Sequence, residues 1–576
     1  LREHPGVTAI IYDQTCAAEK RRRRKRGTFP DPAKRAFVNE LVCEGCGDCS
    51  VQSNCLSVVP VETEFGRKRA IDQSTCNKDY SCIKGFCPSF AEVEGGTLVK
   101  RSLDDAALAG MVAKLPQPAV LDVEQVPCAL LVTGIGGTGV LTVGAILAMA
   151  AHLEGKSAKV LDQTGMAQKG GAVTSHLRIG RDTDAIPSAR LGTGQADVVI
   201  ACDLIVGSSP EVLALTRPET KVLANEDVVP TGEFQRNRNL DLTATRFISA
   251  IAKRVDGANI ASLRAGSLAT RLLGDSIFTN LMMVGFAAQK GLLPVSLASI
   301  EEAVRLNGVA AKANLNALAL GRLAADSAED LFALADEPVH EQVFPITLAE
   351  ITESRTKLLT KFQDADYAAG YRAFLDEIAA KLEQRGLGGC EAFMVEVARS
   401  LGKLMAYKDE YEVARLYADP AYQAALRDNF AGDFKLKVHL APPLIARKID
   451  AKTGRPQKIA FGPWIFPLFR VLAKMKGLRG GALDIFGYSA ERRMERALPG
   501  EYRDLIRKVA DLVTTGTLHT AVELAAAPEL IAGYGPVKDE GVAAYRARVA
   551  ELLAVLESFL RSSTEPTTPS PESVRA

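Results

Sequence analysis

Seven of the eleven cysteines in this 576-residue chain fall between Cys43 and Cys87, and no other feature constrains the fold as much. The first three, Cys43, Cys46 and Cys49, have the spacing C-x2-C-x2-C. Loops this short place successive thiolates on adjacent corners of an iron–sulfur cubane. Structural zinc instead takes paired cysteine hooks that lie well apart, and a third cysteine at the same spacing would leave one thiolate spare. The spacing favours an iron–sulfur cluster over zinc.

The fourth ligand of this cluster is predicted from a proline. In bacterial two-cluster ferredoxins the cysteine that precedes a proline serves the cluster of the other cysteine run. Cys87 is followed at once by Pro88. We therefore predict one [4Fe–4S] cluster whose ligands are Cys43, Cys46, Cys49 and Cys87.

A second cluster is predicted less directly, because a second C-x2-C-x2-C run is missing. The cysteines left over are Cys55, Cys76 and Cys82. A second cubane on these three needs a ligand other than cysteine, for which Asp72 and Asp79 are the candidates. The alternatives are a three-iron cluster, or one cluster accompanied by buried thiols.

The bulk composition is that of a globular protein with no marked charge preference. Hydrophobic residues make up 47%, charged residues 24%, and the net charge is +1, so no overall field favours nucleic acid or a membrane surface. Clustered cysteines in a large chain indicate metal binding rather than disulfides. We expect the reducing cytoplasm as the compartment.

An α/β unit is predicted after the cysteine-rich segment. Residues 128–155 carry no charge before Glu154, and their pattern is a buried strand, "ALLVT", a turn, "GIGGTG", and a buried helix rather than a membrane span. Further strands are predicted at 158–163, 172–180, 196–203 and 220–229, and helices over 260–330. This alternation indicates an open α/β sheet.

The glycine turn has a dinucleotide-like spacing. Gly134, Gly136 and Gly139 fit G-x-G-x-x-G, and a helix N-terminus at this point would favour a phosphate. Asp162, at the end of the next predicted strand, stands near the place of a ribose-binding acid. An oxidoreductase linked to NAD or FAD is therefore one alternative.

A second stretch points to a known family. "Q-x-x-GG-x-V-x-SHLRI" comprises Gln168, Gly170, Gly171, Val173 and Ser175 to Ile179. With "GIGGTGV" and the cysteine segment before it, this stretch resembles the gamma-type domain of 2-oxoacid:ferredoxin oxidoreductases. Residues 10–27 look like the last strand of a thiamine-diphosphate domain. The chain thus resembles the fused, indolepyruvate-type members of that family along nearly its whole length, although after about residue 345 the resemblance is only to an uncharacterised helical domain.

The resemblance implies an oxidoreductase that acts on the oxo group of its donor with an iron–sulfur protein as acceptor. Such enzymes cleave an aryl-pyruvate on thiamine diphosphate and Mg²⁺, release CO₂, pass electrons through iron–sulfur clusters to ferredoxin, and form an acyl-CoA. The partners implied are ferredoxin, the aryl-pyruvate and coenzyme A, in a homo-oligomer. The resemblance implies that the glycines of the turn form either a coenzyme A site or a purely structural turn. These glycines are Gly134, Gly136, Gly137 and Gly139.

The chain departs from the family in one respect. The thiamine-binding motif begins with Gly-Asp and ends in Asn about thirty residues later, and no convincing instance is present: the Gly-Asp in "AGDFKLK" at 431–437 has the wrong context. The catalytic domains are therefore expected upstream of Leu1, and the catalytic residues are unknown. A non-catalytic electron-transfer subunit is the other alternative.

The expected fold class is α/β and α+β multidomain, with a ferredoxin-like iron–sulfur segment, an open α/β gamma-type domain and a mainly helical C-terminal domain. The predicted boundaries are 1–27 for the end of the thiamine-diphosphate domain, 28–112 for the iron–sulfur segment, 125–335 for the gamma-type domain, 345–560 for the helical domain and 561–576 for a disordered tail. One strand is predicted within the helical domain, at 433–443.

A few single residues and one basic run complete the predictions. Residues 20–26, "KRRRRKR", are interpreted as a solvated loop, a docking surface for an acidic ferredoxin, or a contact with an anionic domain. His176 is predicted to be a buried, hydrogen-bonded histidine, with a coenzyme A contact as the alternative. Trp464 is predicted to anchor the core. Three cysteines are predicted to be small buried hydrophobes: Cys128, Cys202 and Cys390.

Overall fold

The computed structural model describes residues 3–99, 103–165, 171–335, 344–442, 446, 448–450 and 454–564. Gln168 and Gly170 of the family-like stretch lie outside the described residues, as does the predicted tail from residue 565 onward. Among the described helices, none is both long and apolar enough to cross a membrane.

The cysteine-rich part contains two antiparallel strand pairs with short helices between them. Its elements are α1 (Ala17–Lys25), β1 (Lys34–Val38), α2 (Asp48–Ser53), β2 (Val58–Val61), β3 (Lys68–Ile71), a 3₁₀ turn (Ser81–Lys84), β4 (Phe90–Glu94), β5 (Thr97–Leu98) and α3 (Asp105–Val112). Strand β1 pairs with β4 and β2 pairs with β3. The loops before α2 and before β4 carry the cysteines.

The residues before α1 do not form the strand suggested by their likeness to a thiamine-diphosphate domain. In the described part, residues 3–16 contain no strand or helix. Val7, Ile10, Ile11 and Tyr12 are 77–104% exposed. A strand needs partners for its backbone N–H and C=O groups, and the described residues offer this segment none.

The α/β unit is built on a six-stranded sheet with helices on both faces. Its elements are β6 (Cys128–Ile135), α4 (Val140–Leu153), β7 (Ser157–Thr164), β8 (Ala172–Gly180), β9 (Val198–Ala201), α5 (Leu204–Gly207), α6 (Pro210–Leu213), β10 (Lys221–Asn225), α7 (Ala244–Ala252), a 3₁₀ turn (Gly257–Asn259), β11 (Ile260–Leu263), α8 (Ala265–Leu273), a 3₁₀ turn (Ser276–Phe278), α9 (Thr279–Gln289), α10 (Leu297–Asn307), α11 (Ala311–Asp326) and α12 (Ala328–Ala335). The predicted strands are confirmed, and β11 is an additional strand in a region predicted to be helical. All eight residues of β6 are buried, as expected for a central strand covered on both faces.

The strand order overturns one sequence-based interpretation. The order is β11-β10-β9-β6-β8-β7, and β8 runs antiparallel to both β6 and β7. Asp162 is therefore exposed on an edge strand, opposite Ser175 of β8. It lies two strand spacings from β6, about 10 Å, rather than on the strand next to the glycine turn. The prediction that Asp162 takes the place of a ribose acid is wrong.

The C-terminal part is mainly helical, with three short strands. Its elements are α13 (Leu348–Phe362), α14 (Ala365–Gln384), α15 (Glu391–Met405), α16 (Glu410–Ala418), α17 (Pro420–Asn429), β12 (Phe430–Ala431), β13 (Lys435–Leu440), β14 (Ile459–Phe461), α18 (Ile465–Lys474), a 3₁₀ turn (Met475–Leu478), α19 (Ala490–Leu512), 3₁₀ turns (Thr515–Thr517 and Ala527–Leu530) around α20 (Leu518–Ala526), and α21 (Pro536–Thr564). The strand predicted within 433–443 is β13. Helix α13 begins with a capping box, in which Thr347 and Glu350 each bond the other's backbone N–H.

The C-terminal part completes the sheet of the cysteine-rich part. Strand β13 pairs antiparallel with β4, and β14 pairs with β13, which gives the order β1-β4-β13-β14. One hydrophobic core also contains side chains from both parts, such as Val42, Phe90, Tyr417 and Phe469. The domain boundaries predicted from the sequence stay predictions, but the two parts share both a sheet and a core.

Helices α9 and α11 of the α/β unit cross at unusually close range. A Cβ atom added to Gly285 would lie 2.0 Å from the carbonyl oxygen of Leu318, and one added to Gly321 would lie 1.9 Å from that of Met282. Real Cβ atoms do not approach backbone so closely, so only glycine permits this crossing.

We expect Gly285→Ala and Gly321→Ala each to lower the free energy of unfolding by about 1–3 kcal/mol, because the added methyl group forces the two helices apart. Gly370→Ala is the matched control, since Gly370 is an exposed residue of α14 with nothing within 4 Å of its Cβ position. There alanine should be neutral or stabilising. Thermal unfolding of the three variants checks the expectation, and equal midpoints would contradict it.

Candidate functional site

The first group of thiols lies where the loop before α2 meets the loop before β4. We call Cys43, Cys46, Cys49 and Cys87 the first thiol group. Burial raises the pKa of the Cys49 thiol well above its usual range, and the charges of the other three members raise it further. Burial and the neighbouring Cys87 likewise raise the pKa of Cys46 to about 12. The structure thus brings together the four cysteines that the spacing and Pro88 assigned to one cluster.

The remaining three cysteines form a separate group beside it. We call Cys55, Cys76 and Cys82 the second thiol group. Burial raises the pKa of Cys82 to about 12, and the charges of Cys76, Cys55 and Asp79 add to that rise. The structure thus places the seven cysteines in two groups, of four and of three, while their role as cluster ligands stays a prediction.

The backbone around the first thiol group leaves no room for larger residues. Gly45 and Gly47 have φ values of +67° and +81°, which residues with a Cβ atom adopt only at a cost. A Cβ atom on Gly85 would lie 2.8 Å from the Cα atom of Cys49. The N–H of Gly45 donates to the Sγ atom of Cys43 at 3.4 Å. Backbone N–H donation to sulfur is one of the means by which a protein tunes an iron–sulfur cluster.

A buried arginine beside the first thiol group lacks acceptors for part of its guanidinium. Arg69 is 1% exposed, and its Nε and Nη2 atoms have no hydrogen-bond partner among the described residues. Burial lowers the pKa of Arg69, while the thiolates of Cys49 and Cys43 raise it. Its guanidinium carbon lies 4.4 Å from the ring centre of Phe234. Buried donors normally have partners, so these atoms fit an anionic group held by the thiols.

A lysine from the C-terminal part approaches the same group from the other side. The Nζ atom of Lys458 donates to the carbonyl oxygens of Gly85, at 2.6 Å, and Cys87, at 3.2 Å. Burial lowers its pKa, and the charges of Cys87 and Cys49 act to raise it. Sequence reasoning missed both Arg69 and Lys458. No local signal identifies Lys458, which is 371 residues from Cys87.

The donors of the first thiol group are four cysteine sulfurs. Among the described residues, no three His, Cys, Asp or Glu side chains converge closely enough to hold one metal ion. The four thiols, the left-handed loop and the cationic surroundings fit an iron–sulfur cubane.

The C-terminal part covers the first thiol group. The hydroxyl of Tyr534 donates to the carbonyl oxygen of Val42 at 2.6 Å, and that of Tyr417 donates to Pro88 at 2.5 Å. Lys408 donates to the carbonyls of Val42 and Cys43 at 3.2 and 3.1 Å. Backbone on both sides of the thiols is thereby fixed and shielded from water.

A cleft of about 1250 Å³ opens beside this cover, with walls from the cysteine-rich part, the α/β unit and the C-terminal part. The acidic and basic side chains that line the cleft balance one another in charge. Although burial alone would raise the pKa of Glu44, the charges of Lys408, Lys68 and Lys538 lower it to about 2. Burial lowers the pKa of Lys403 to about 8. The cleft thus has no net charge that would select one kind of ligand.

The basic run is a helix that contacts the second thiol group's loop. It forms α1, and Arg21 donates to the carbonyl oxygen of Thr75 at 3.1 Å, while Arg24 donates to that of Asn77. Arg22 and Arg23 are 44% and 47% exposed and pair with Glu19 of the same helix. The interpretation of this run as a solvated loop is wrong. Ala17–Lys25 form a helix, and Arg21 and Arg24 of that helix donate hydrogen bonds to backbone carbonyls.

The glycine turn connects β6 to α4 as predicted. The N–H of Gly136 donates to the carbonyl oxygen of Gly171 at 2.7 Å, which joins the two family-like stretches. Gly137 and Gly139 have φ values of +87° and +96°. A Cβ atom on Gly134 would lie 2.5 Å from Val140. The turn thus requires glycine for its own geometry, whatever it binds.

The remaining single-residue predictions have mixed outcomes. His176 is buried, and its Nδ1 atom accepts the N–H of Leu191 at 3.2 Å, while burial lowers its pKa; the prediction of a hydrogen-bonded buried histidine is confirmed. Trp464 is 62% exposed, so its prediction as a core anchor is wrong. It stands at the start of α18, whose Ile465 and Phe469 face the core instead. The three scattered cysteines are buried as predicted: Cys128, Cys202 and Cys390.

Two family models match the chain. Residues 129–324 match the family described as pyruvate ferredoxin/flavodoxin oxidoreductase. Residues 348–551 match a family of unknown function, DUF6537.

The curated relatives are similar to about a third of this chain. The indolepyruvate oxidoreductase subunit IorB of Archaeoglobus fulgidus is 28% identical over 200 residues, which are 33% of this chain and 92% of the relative. That of Thermococcus kodakarensis is 26% identical over 181 residues, 31% of this chain and 85% of the relative.

Solved structures overlap the same share. The gamma subunit of a keto/oxoacid ferredoxin oxidoreductase from Geobacter sulfurreducens is 21% identical and covers 34% of this chain and 98% of its own, with a TM-score of 0.25. A 2-oxoglutarate:ferredoxin oxidoreductase from Magnetococcus marinus is 16% identical and covers 41% and 38%, with a TM-score of 0.27.

The burial of the thiols predicts their order of chemical modification. Cys16 is exposed, whereas the other ten cysteines are buried or half-buried, and alkylation requires an accessible thiolate. We expect one fast-reacting thiol per native chain at pH 8 with iodoacetamide, and none in Cys16→Ser. In guanidinium chloride all thiols should react. Peptide mass spectrometry locates the label, and fast labelling of either thiol group in native protein would contradict the burial described.

Proposed function

Since the chain belongs to the 2-oxoacid:ferredoxin oxidoreductase family, we propose that it supplies the electron-transfer part of an enzyme that oxidatively decarboxylates an aryl-pyruvate. The match of residues 129–324 supports the family. The IorB relatives support indolepyruvate as the type of substrate. The products are then CO₂ and an acyl-CoA, and the electrons pass to ferredoxin.

The observation that carries the electron-transfer role is the first thiol group with its cationic surroundings. A cubane bound there accepts and returns one electron at a time. The thiolates of this group hold it within a ferredoxin-like segment. Arg69 and Lys458 offset the negative charge of the thiolates, and Tyr417 and Tyr534 fix the loops that would otherwise admit water.

Thiamine diphosphate and Mg²⁺ have no assigned residues in this chain. We place them on another part of the enzyme, because no motif with Gly-Asp and a later Asn stands in a suitable context here. For coenzyme A we propose the glycine turn, Gly134, Gly136, Gly137 and Gly139. Gly137 is exposed, the turn opens α4, and helix N-termini favour phosphates.

The exit of electrons is proposed at α1. This helix carries four consecutive arginines and contacts the loop of the second thiol group. A positively charged surface next to a redox group attracts an acidic partner and raises its association rate. A ferredoxin with an acidic surface fits this position.

The cluster assignment is tested by one cysteine from the first thiol group and one from outside it. In anaerobically purified protein we expect Cys43→Ser to lose about four irons and four sulfides per chain, because serine replaces a thiolate ligand of the cubane. Cys390→Ser, a change at a buried cysteine in the helical part, should lose none. Metal and sulfide analysis with reduced-state EPR provides the measurement. Zinc in place of iron in the wild type, or an unchanged iron content in Cys43→Ser, would contradict the proposed electron-transfer role.

The docking surface is tested by charge removal. We expect Arg22→Gln/Arg23→Gln to slow electron transfer to ferredoxin roughly three- to tenfold at low salt, with the difference disappearing at high salt, because long-range attraction is screened. Among the described residues the side chains of Arg22 and Arg23 bond Glu19 and not the loop of the second thiol group, so the geometry of that loop should stay intact. Arg305→Gln is the control, since Arg305 is 50% exposed and paired with Glu301 and Glu302 on α10. Stopped-flow reduction of ferredoxin measures the rates, and equal slowing by the control would rule out α1 as the docking surface.

A further inference from the structure

The cysteine-rich part repeats itself with an offset of 33 residues. Cys43 and Cys49 of the first run correspond at this offset to Cys76 and Cys82. The middle cysteine, Cys46, corresponds to Asp79. The second run is thus C-x2-D-x2-C, with a carboxylate in place of one thiolate.

The backbone repeats with the same offset. Helix α2 begins at Asp48, and the 3₁₀ turn begins at Ser81. The N–H of Gly45 donates to the Sγ atom of Cys43, and the N–H of Lys78 donates to that of Cys76, both at 3.4 Å. The two loops are therefore wound around their sulfur atoms in the same way.

The residues on either side of Asp79 show the repeat most clearly. Cys46 stands between two glycines with left-handed φ values, and Asp79 stands between Lys78 and Tyr80, whose φ values are +51° and +60°. Among the described residues, only four that are not glycine have a positive φ, and Lys78 and Tyr80 are two of these four. Side chains disfavour this conformation, so something beyond local preference maintains it. This conformation is explained if the second loop must orient Asp79 toward a metal in the same way that the first loop orients Cys46.

Asp79 rather than Asp72 faces the second thiol group. The charge of Asp79 acts on both Cys76 and Cys82, and its hydrogen bonds within the described chain, to the N–H and hydroxyl of Ser81, use only Oδ1. Asp72 engages both of its oxygens, with Ser74 at Oδ1 and Thr75 at Oδ2. At the same offset the counterpart of Asp72 is Asn39 rather than a cysteine, and both side chains accept the N–H two residues later, from Leu41 to Asn39 and from Ser74 to Asp72.

We propose that the carboxylate of Asp79 is the fourth ligand of a second iron–sulfur cluster, whose other ligands are Cys55, Cys76 and Cys82. This inference rests on the proposed function, because it requires the chain to bind iron–sulfur clusters. Asp79 is exposed, and a hard oxygen donor holds iron next to soft sulfide less firmly than a thiolate does. The iron bound to Asp79 is then the one that leaves and returns most readily. The cluster also lies beside the contacts of α1 with Thr75 and Asn77, on the side where ferredoxin is proposed to dock.

The test compares Asp79→Asn, Asp79→Cys and Asp72→Asn in the full chain, purified without oxygen. Wild type should contain about eight irons, in two cubanes. Asp79→Asn should lose about one iron, and its oxidised form should show the EPR signal of a three-iron cluster. Asp79→Cys should keep the full iron content and resist a chelator that removes one iron from wild type. Asp72→Asn should behave as wild type.

The reduced-state EPR signal of the first cluster serves as an internal control for folding in every variant. Asp79→Asn with unchanged iron and EPR would overturn the proposal, as would loss of iron in Asp72→Asn alone. Wild type with about four irons, all lost in Cys43→Ser, would overturn it while leaving the proposed function intact. Wild type with no iron at all would remove the proposed function itself.

Discussion

The packing of buried cationic side chains around the buried first thiol group is the interaction on which this architecture depends. Thiolates that hold a cluster are costly to remove from water unless charge and hydrogen bonds compensate them. Here the buried side chains of Arg69 and Lys458 both lie near the first thiol group. Arg69 comes from β3 within the cysteine-rich part, but Lys458 comes from the C-terminal part. The compensation therefore requires the C-terminal part to fold against the cysteines.

The same requirement accounts for the form of the C-terminal part. A bundle of helices would leave the edge of β4 open, and an open edge strand exposes unpaired N–H and C=O groups. Strand β13 closes that edge, and β14 then lies at the new edge of the sheet. Tyr417 and Tyr534 bring their hydroxyls to carbonyls that flank the thiols. The helical part is in this sense a continuation of the cysteine-rich part, although more than 300 residues separate β4 from β13 in the chain.

Sequence reasoning succeeded where the information is local. Spacing and one proline assign Cys43, Cys46, Cys49 and Cys87 to one cluster; the structure brings these four thiols together, and their role as ligands stays a prediction. The strand, glycine turn and helix over 128–153 follow from runs of apolar residues and the need for glycine in the turn. The second run is harder to recognise, because its likeness to the first is visible only when Asp79 is aligned with Cys46.

It failed where the outcome depends on contacts between distant segments. The position of β8 between β6 and β7 is a matter of strand order, which apolar periodicity does not encode, so Asp162 was misplaced. Trp464 was assigned to the core by size, yet Ile465 and Phe469 take the inward face of α18. Lys458 has no local signature at all. Residues 10–27 resemble a strand in sequence, but a strand needs a neighbouring strand to pair with, and the described residues contain none beside this segment.

The pairing of β4 with β13 has a consequence for biogenesis. Lys437 and Glu94, an ion pair across these strands, are 343 residues apart. During synthesis the cysteines emerge first, and the strand and lysine that complete their surroundings emerge only after the whole α/β unit. Until then the first thiol group lacks its cover and one of its cations. A newly made chain thus passes through a period in which its cysteines are accessible to whatever delivers or oxidises them, and the arrival of the C-terminal part ends that period.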